Sequence, residues 1–167
     1  MNSSYVVERT WMTESGLKAC CVLCRGTHRC GYVGVNEDNF LYGVKCSQSI
    51  EKLKDAYHKA MDINMDDNKR NSISILSNSM KDEEERYSPE MAFNVHGGLT
   101  FSNGGGDNDY PIPGDTWWFG FDCAHLGDAN IDGSGYCEDD AVVRSFDYVV
   151  DECENLAQQI ALVTKNK

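Results

Sequence analysis

His96, Asp122, His125 and Asp128 are the side chains of this 167-residue chain best suited to chemistry. Two imidazoles and two carboxylates can hold a divalent metal and activate water for hydrolysis. The last three lie in one run, DTWWFGFDCAHLGD from Asp115 to Asp128, where an apolar stretch passes directly into titratable groups. An apolar strand anchors the backbone, and polar residues at its end then stand at the rim of a pocket. Side chains alternate in extended backbone. Trp117, Phe119 and Phe121 therefore share one face, and Trp118, Gly120 and Asp122 the other. The bare Gly120 between Trp118 and Asp122 leaves room for a flat ring. In a nucleotide-binding reading, Trp118 or Phe121 would stack the base, and Asp122 or Asp128 would accept from ribose hydroxyls. His96 and His125 would orient the ligand. The His96-Gly97-Gly98 bend would offer amides to an anion, with Arg25 as a phosphate partner.

Asp128 also opens DANIDGSGYCED, which follows a calcium-loop pattern with Asp128, Asn130 and Asp132 at alternate positions, Gly133 at the turn and Asp139 at the twelfth place. It departs from that pattern by carrying Asp139 for the usual glutamate and Gly135 where an apolar residue packs. Cys21-x-x-Cys24, with His28 and Cys30 nearby, resembles half a zinc site. Cys-Val-Leu-Cys reads as strand, however, which points Cys21 and Cys24 to opposite faces. A divalent metal, calcium or zinc, is the cofactor that these patterns admit.

The charge balance narrows the partners. The net charge is -12, and from Asn103 to Asp140 there are nine acidic residues and no Lys or Arg. Duplex nucleic acid is bound through Lys and Arg that displace counterions, so DNA is not an expected partner. The N-terminal MNSSYVVERTWMTESG has no continuous apolar run, and no stretch has the length of a membrane span. The expectation is a cytoplasmic protein without a membrane partner. Its eight cysteines are then reduced thiols, several of them buried.

The elements that must position these groups follow from periodicity. Tyr5 to Met12 and Leu17 to Arg25 read as a hairpin, and Gly31 to Val35 as a third strand. Helical spacing covers about Ser49 to Asp62, with Ser47 or Ser49 as N-cap. The segment at about 66–90 is polar and reads as an insertion in one domain spanning 1–167. Met91 to Val95, Leu99 to Ser102 and Thr116 to Asp122 read as strands. Phe146, Val149, Val150, Cys153, Leu156, Ala157 and Ile160 mark one face of a C-terminal helix capped by Ser145. The predicted class is α+β, a mainly antiparallel sheet with a mid-chain helix and a long C-terminal helix packed on it.

Four blocks carry a resemblance. Arg25-Gly26 with CGYVGV (Cys30 to Val35), VHGGLTF (Val95 to Phe101), WWFGFDCAHLGD (Trp117 to Asp128) and RSFDYVVDECENLAQQIA (Arg144 to Ala161) resemble small proteins encoded in tailed-phage genomes and related mobile elements. Most members of that family have no assigned function. This chain departs from them at Asn36 to Tyr42, where others often carry Pro and His, and in the polar insertion. The resemblance implies an accessory protein acting in the cytoplasm of a bacterial host, where such proteins often act on the host and several kinds inhibit immune signalling. The expected function is sequestration of a small nucleotide-derived signalling molecule. The alternatives are a metal-dependent phosphodiesterase using His96, Asp122, His125 and Asp128, and an acidic inhibitor of a host protein. Homo-oligomerisation is left open.

Overall fold

The computed structural model describes residues 4–66, 85–106, 108–135 and 138–165. Most of the polar insertion, residues 67–84, lies outside them. Five strands form one sheet: β1 (Tyr5–Met12), β2 (Lys18–Cys24), β3 (His28–Val35), β4 (Phe101–Gly104) and β5 (Trp117–Asp122). Their order is β1-β2-β3-β5-β4, and every neighbouring pair is antiparallel. Among the described residues three α-helices accompany it: α1 (Lys54–Asp66), the single turn α2 (Pro89–Ala92) and α3 (Phe146–Lys165). The fold is α+β, as the periodicities predict.

The hairpin of β2 and β3 turns through Arg25 and Gly26, both at positive φ, and the Thr27 amide donates to the Cys24 carbonyl. That is the signature of the primed turns that match strand twist. β1 lies at the sheet edge and carries a bulge, where its register against β2 shifts between Val7 and Arg9. The other edge, β4, is only four residues long.

Both faces of the sheet are covered at β5, which explains why that strand reads as nearly continuous apolar sequence. On one face Val149, Cys153, Leu156, Ala157 and Ile160 of α3 pack against Cys21, Val33, Val35, Phe119 and Phe121. Removing a buried Phe such as Phe121 would cost about 3–5 kcal/mol. On the other face Cys20, Val22, Cys30, Tyr32 and Trp118 form a second, smaller core under Tyr110 and Ile112 of the β4–β5 connection. α3 begins as the sequence predicts, with the Ser145 hydroxyl accepting the Tyr148 amide. Among the described residues, no helix is long and apolar enough to cross a membrane.

Two local readings change. The helix expected from Ser49 starts as a 3-10 turn, Glu51–Leu53, preceded by Ile50 with no side-chain cap. Ser49 instead accepts the Tyr87 amide. The strand expected over Met91 to Val95 is replaced by α2, with Pro89 at its first turn, followed by extended residues outside the sheet. The hydrogen bonds of that extended piece go to a helix side chain. The Asn94 amide donates to Gln159 Oε1 (2.8 Å), and Gln159 Nε2 donates to the Asn94 carbonyl (2.7 Å). A side-chain amide of α3 thus stands where a strand neighbour would.

Candidate functional site

The same helix positions the next residue of functional interest. Glu152 Oε2 accepts the His96 main-chain amide at 2.7 Å, which fixes the Val95–Gly98 turn against α3. The His96 ring is held at both nitrogens. Nε2 lies 2.8 Å from Asp128 Oδ2, and Nδ1 lies 2.8 Å from the Tyr148 hydroxyl. A carboxylate can only accept, so in the neutral ring Nε2 carries the proton and Nδ1 accepts from the phenol. Asp128 is itself saturated. Arg144 Nε donates to Oδ1 at 2.7 Å, and the His125 amide donates to Oδ2 at 3.0 Å. The Asp128 side chain is 1 % exposed. Burial alone would raise its carboxyl, but hydrogen bonds from Arg144, His96 and the His125 amide outweigh that and hold it below the ordinary carboxylate range.

Arg144 reaches Asp128 because the intervening chain closes on itself. Asp128 and Val142 form an isolated parallel bridge, with the Val142 amide on the Gly127 carbonyl and the Ala129 amide on the Val142 carbonyl. The Arg144 guanidinium also lies over the Tyr148 ring, 5.0 Å from its centroid.

His125 differs from His96. Its ring rests on Gly97, where a Cβ would overlap the imidazole, and its centroid is 5.9 Å from that of His96. Its Nε2 is buried and makes no hydrogen bond, with Asp122 Oδ1 3.4 Å away. Asp122 ends β5 with its carboxylate accepting the Ala124 amide (3.1 Å) and the Thr100 hydroxyl (3.2 Å). The two side chains, 33 % and 31 % exposed, form the open rim of the cluster. His96, Asp122, His125 and Asp128 are therefore brought together, but as two histidine–aspartate pairs. Among the described residues they do not converge as a metal-ligand group, and the Arg144 cation sits in contact with Asp128.

Several expected ligand contacts are corrected. Trp118 is 3 % exposed and Phe121 1 %, so neither ring offers a stacking face. The flat ring that lies over Gly120 is the protein's own Tyr32, its cross-strand partner. An aromatic side chain covering a strand glycine is a recognised way to protect the bare backbone. The Gly98 amide closes the turn onto the Val95 carbonyl and is not presented to an anion. Arg25 is exposed at the hairpin tip, on the β2–β3 turn rather than in the His96 cluster. The calcium-loop reading also fails at its first ligand, because Asp128 faces Arg144 and His96. Asn130 donates to Ser134, and Asp132 Oδ1 accepts the Ser134 amide and hydroxyl, while Asp139 is exposed. The described part of the loop is an acidic turn. Cys123 is buried, and burial, reinforced by the Asp128 charge, pushes its thiol up to about 12, so it is protonated at neutral pH and unsuited to nucleophilic attack.

Among the described residues, one group of side chains could hold a metal: Cys24, His28 and Cys30, whose candidate ligand atoms lie within 4.8 Å of one another. Cys21 is not among them. It faces α3, whereas Cys24 packs on the opposite side of the sheet, as strand alternation requires. The Cys24 and Cys30 sulfurs are 3.5 Å apart, and Cys24 Sγ is 3.7 Å from the Tyr110 hydroxyl. The hydrogen bond from Cys30 lowers Cys24 against the opposing effect of burial.

The residues that sequence reasoning missed are Arg144, Tyr148 and Glu152. Tyr148 and Glu152 stand four residues apart beside the apolar face of α3, and that spacing is the signal that could have found them, whereas Arg144 precedes the helix. Comparison with protein-family models, with curated proteins and with solved structures gives no match for this chain.

Proposed function

We propose that this chain binds a small nucleotide-derived ligand at the rim formed by Asp122, His125 and the Val95–Gly98 turn, and holds it without cleaving it. The observation that carries this reading is the contrast between the two histidines. His96 is saturated by Asp128 and Tyr148, whereas the His125 ring is a third exposed and stands beside the equally exposed Asp122 carboxylate, with only a 3.4 Å contact between them. A ribose diol suits such a pair, since one hydroxyl can donate to Asp122 while the other meets the imidazole. Arg144, a quarter exposed beside Asp128, supplies a cation for an attached phosphate within otherwise acidic surroundings.

Binding is favoured over hydrolysis because two of the groups that would have to react, His96 and Asp128, are already engaged. Asp128 is neutralised by Arg144, and Cys123 keeps its proton. In the setting that the phage resemblance implies, the ligand would be a host immune signalling molecule removed from circulation. Calorimetry with a panel of ribose-containing messengers and their 2′-deoxy counterparts tests this. The expected result is binding of a ribose form, weakened in its deoxy counterpart, with the ligand recovered intact. No binding across the panel overturns the proposal, and consumption of the ligand replaces it with the hydrolase reading.

A further inference from the structure

We infer that Cys24, His28 and Cys30 form a three-residue site for a zinc-class cation at the tip of the β2–β3 hairpin. Register explains why they meet. Cys24 and His28 are direct cross-strand partners, and Cys30, two residues beyond His28, returns to the same face. The ligand set is therefore Cys-x3-His-x-Cys across one tight turn, and the Cys21-x-x-Cys24 spacing is irrelevant to it.

The distances suit a shared ion. Zinc–sulfur bonds of about 2.3 Å at tetrahedral angles place two thiolates about 3.8 Å apart. The observed separation is 3.5 Å, whereas a disulfide would require about 2.05 Å. Two sulfurs and an imidazole also match the softness of zinc better than that of calcium or magnesium, which take oxygen ligands.

Surrounding contacts prepare the ligands. The Thr27 hydroxyl donates to the Cys24 carbonyl (3.0 Å), so its single proton is used, and His28 Nδ1, 3.0 Å away, must be the donor to the Thr27 oxygen. That leaves His28 Nε2 as the ring nitrogen with an available lone pair, the tautomer selection typical of metal-bound histidine. Thr27 is itself fixed, its carbonyl accepting the Ile131 amide at 2.7 Å. Cys24 and His28 are half-buried and Cys30 is buried, so an ion can enter from solvent. With three protein ligands, the fourth position falls to water. Binding forms two sulfur–metal bonds and releases one proton from each thiol to solvent.

The test uses the full chain, purified without chelator from zinc-supplemented culture. Elemental analysis should find one zinc per chain. Titration of the metal-free protein with Co²⁺ should give a sulfur-to-cobalt charge-transfer band. Cys24→Ser and His28→Ala should each weaken binding at least about tenfold, as should Thr27→Val through the lost orientation of His28. Cys46→Ser should leave it unchanged. Circular dichroism checks the fold of each variant, and His28→Ala decides if a cysteine variant does not fold. The inference is overturned by zinc at background level, by cobalt binding without the sulfur band, by affinity unchanged in His28→Ala, or by a Cys24–Cys30 disulfide in the purified chain.

Discussion

The His125 imidazole lies against the α-carbon of Gly97, in space that any other residue would fill with a Cβ. Gly97 also has φ +66°, a conformation that L side chains adopt at a cost. Gly97→Ala should therefore lose at least about 2 kcal/mol of stability, combining backbone strain with displacement of the ring. Denaturant unfolding measures the loss, and the His125 ring resonances should shift. An unchanged midpoint would mean that the turn does not support the ring.

The two histidines should separate cleanly. His96→Ala removes two hydrogen bonds, leaves the Tyr148 hydroxyl without its partner and Asp128 with only Arg144 and the His125 amide, and should cost about 3 kcal/mol. His125→Ala removes a ring whose Nε2 has no hydrogen bond, and should change stability by no more than about 1 kcal/mol. The same variant should abolish ligand binding in calorimetry. Equal destabilisation by both would make His125 part of the scaffold.

The Asp128 carboxyl titrates lower in the folded chain than its ordinary value of about 3.9. On acidification the unfolded chain therefore takes up this proton first. The stability contributed by the carboxylate is complete above the ordinary value and is lost as pH falls through the folded one. Asp128→Asn should be less stable than the parent by about 3 kcal/mol at neutral pH, since it leaves Arg144 without its partner. That gap should close in acid. A gap independent of pH in urea titrations would show that the charge contributes nothing.

Tyr32 occupies the slot above Gly120 and bonds the Tyr110 hydroxyl at 2.6 Å. Tyr32→Ala should cost about 4 kcal/mol and open a ring-shaped space on that face. Added indole should then raise the melting temperature of the variant and leave the parent unaffected. If indole has no effect on the variant, the neighbouring side chains have collapsed into the slot.

The sequence displayed the architecture of this protein more fully than its chemistry. Alternation in WWFGFD separated the two faces of β5 correctly, and the apolar stripe with Ser145 located α3. Those features depend on neighbours within one element. The occupant of the Gly120 slot depended on which strand lies beside β5 and in what register, information held in Tyr32 on β3. The calcium-like spacing misled because it records the positions of carboxylates and not their direction, and Asp128 turns inward to Arg144. The meeting of His96 with His125 was legible as a possibility. Two of the partners that lock His96, Tyr148 and Glu152, come from α3, a distant segment whose polar positions were overshadowed by its apolar face.

The bulge in β1 has a bearing on how copies of this molecule meet. A second chain laid alongside Tyr5–Met12 would find its ladder out of step after Val7, and it would face Glu8 and Arg9 in the middle of the strand. The opposite border, β4, presents too little backbone to grip a visitor. Irregular, charged or short margins are how sheets avoid runaway stacking into fibres. Crowding of this protein in a cell is thereby steered away from edge-to-edge growth, although Val6 and Met12 leave apolar surface along that border.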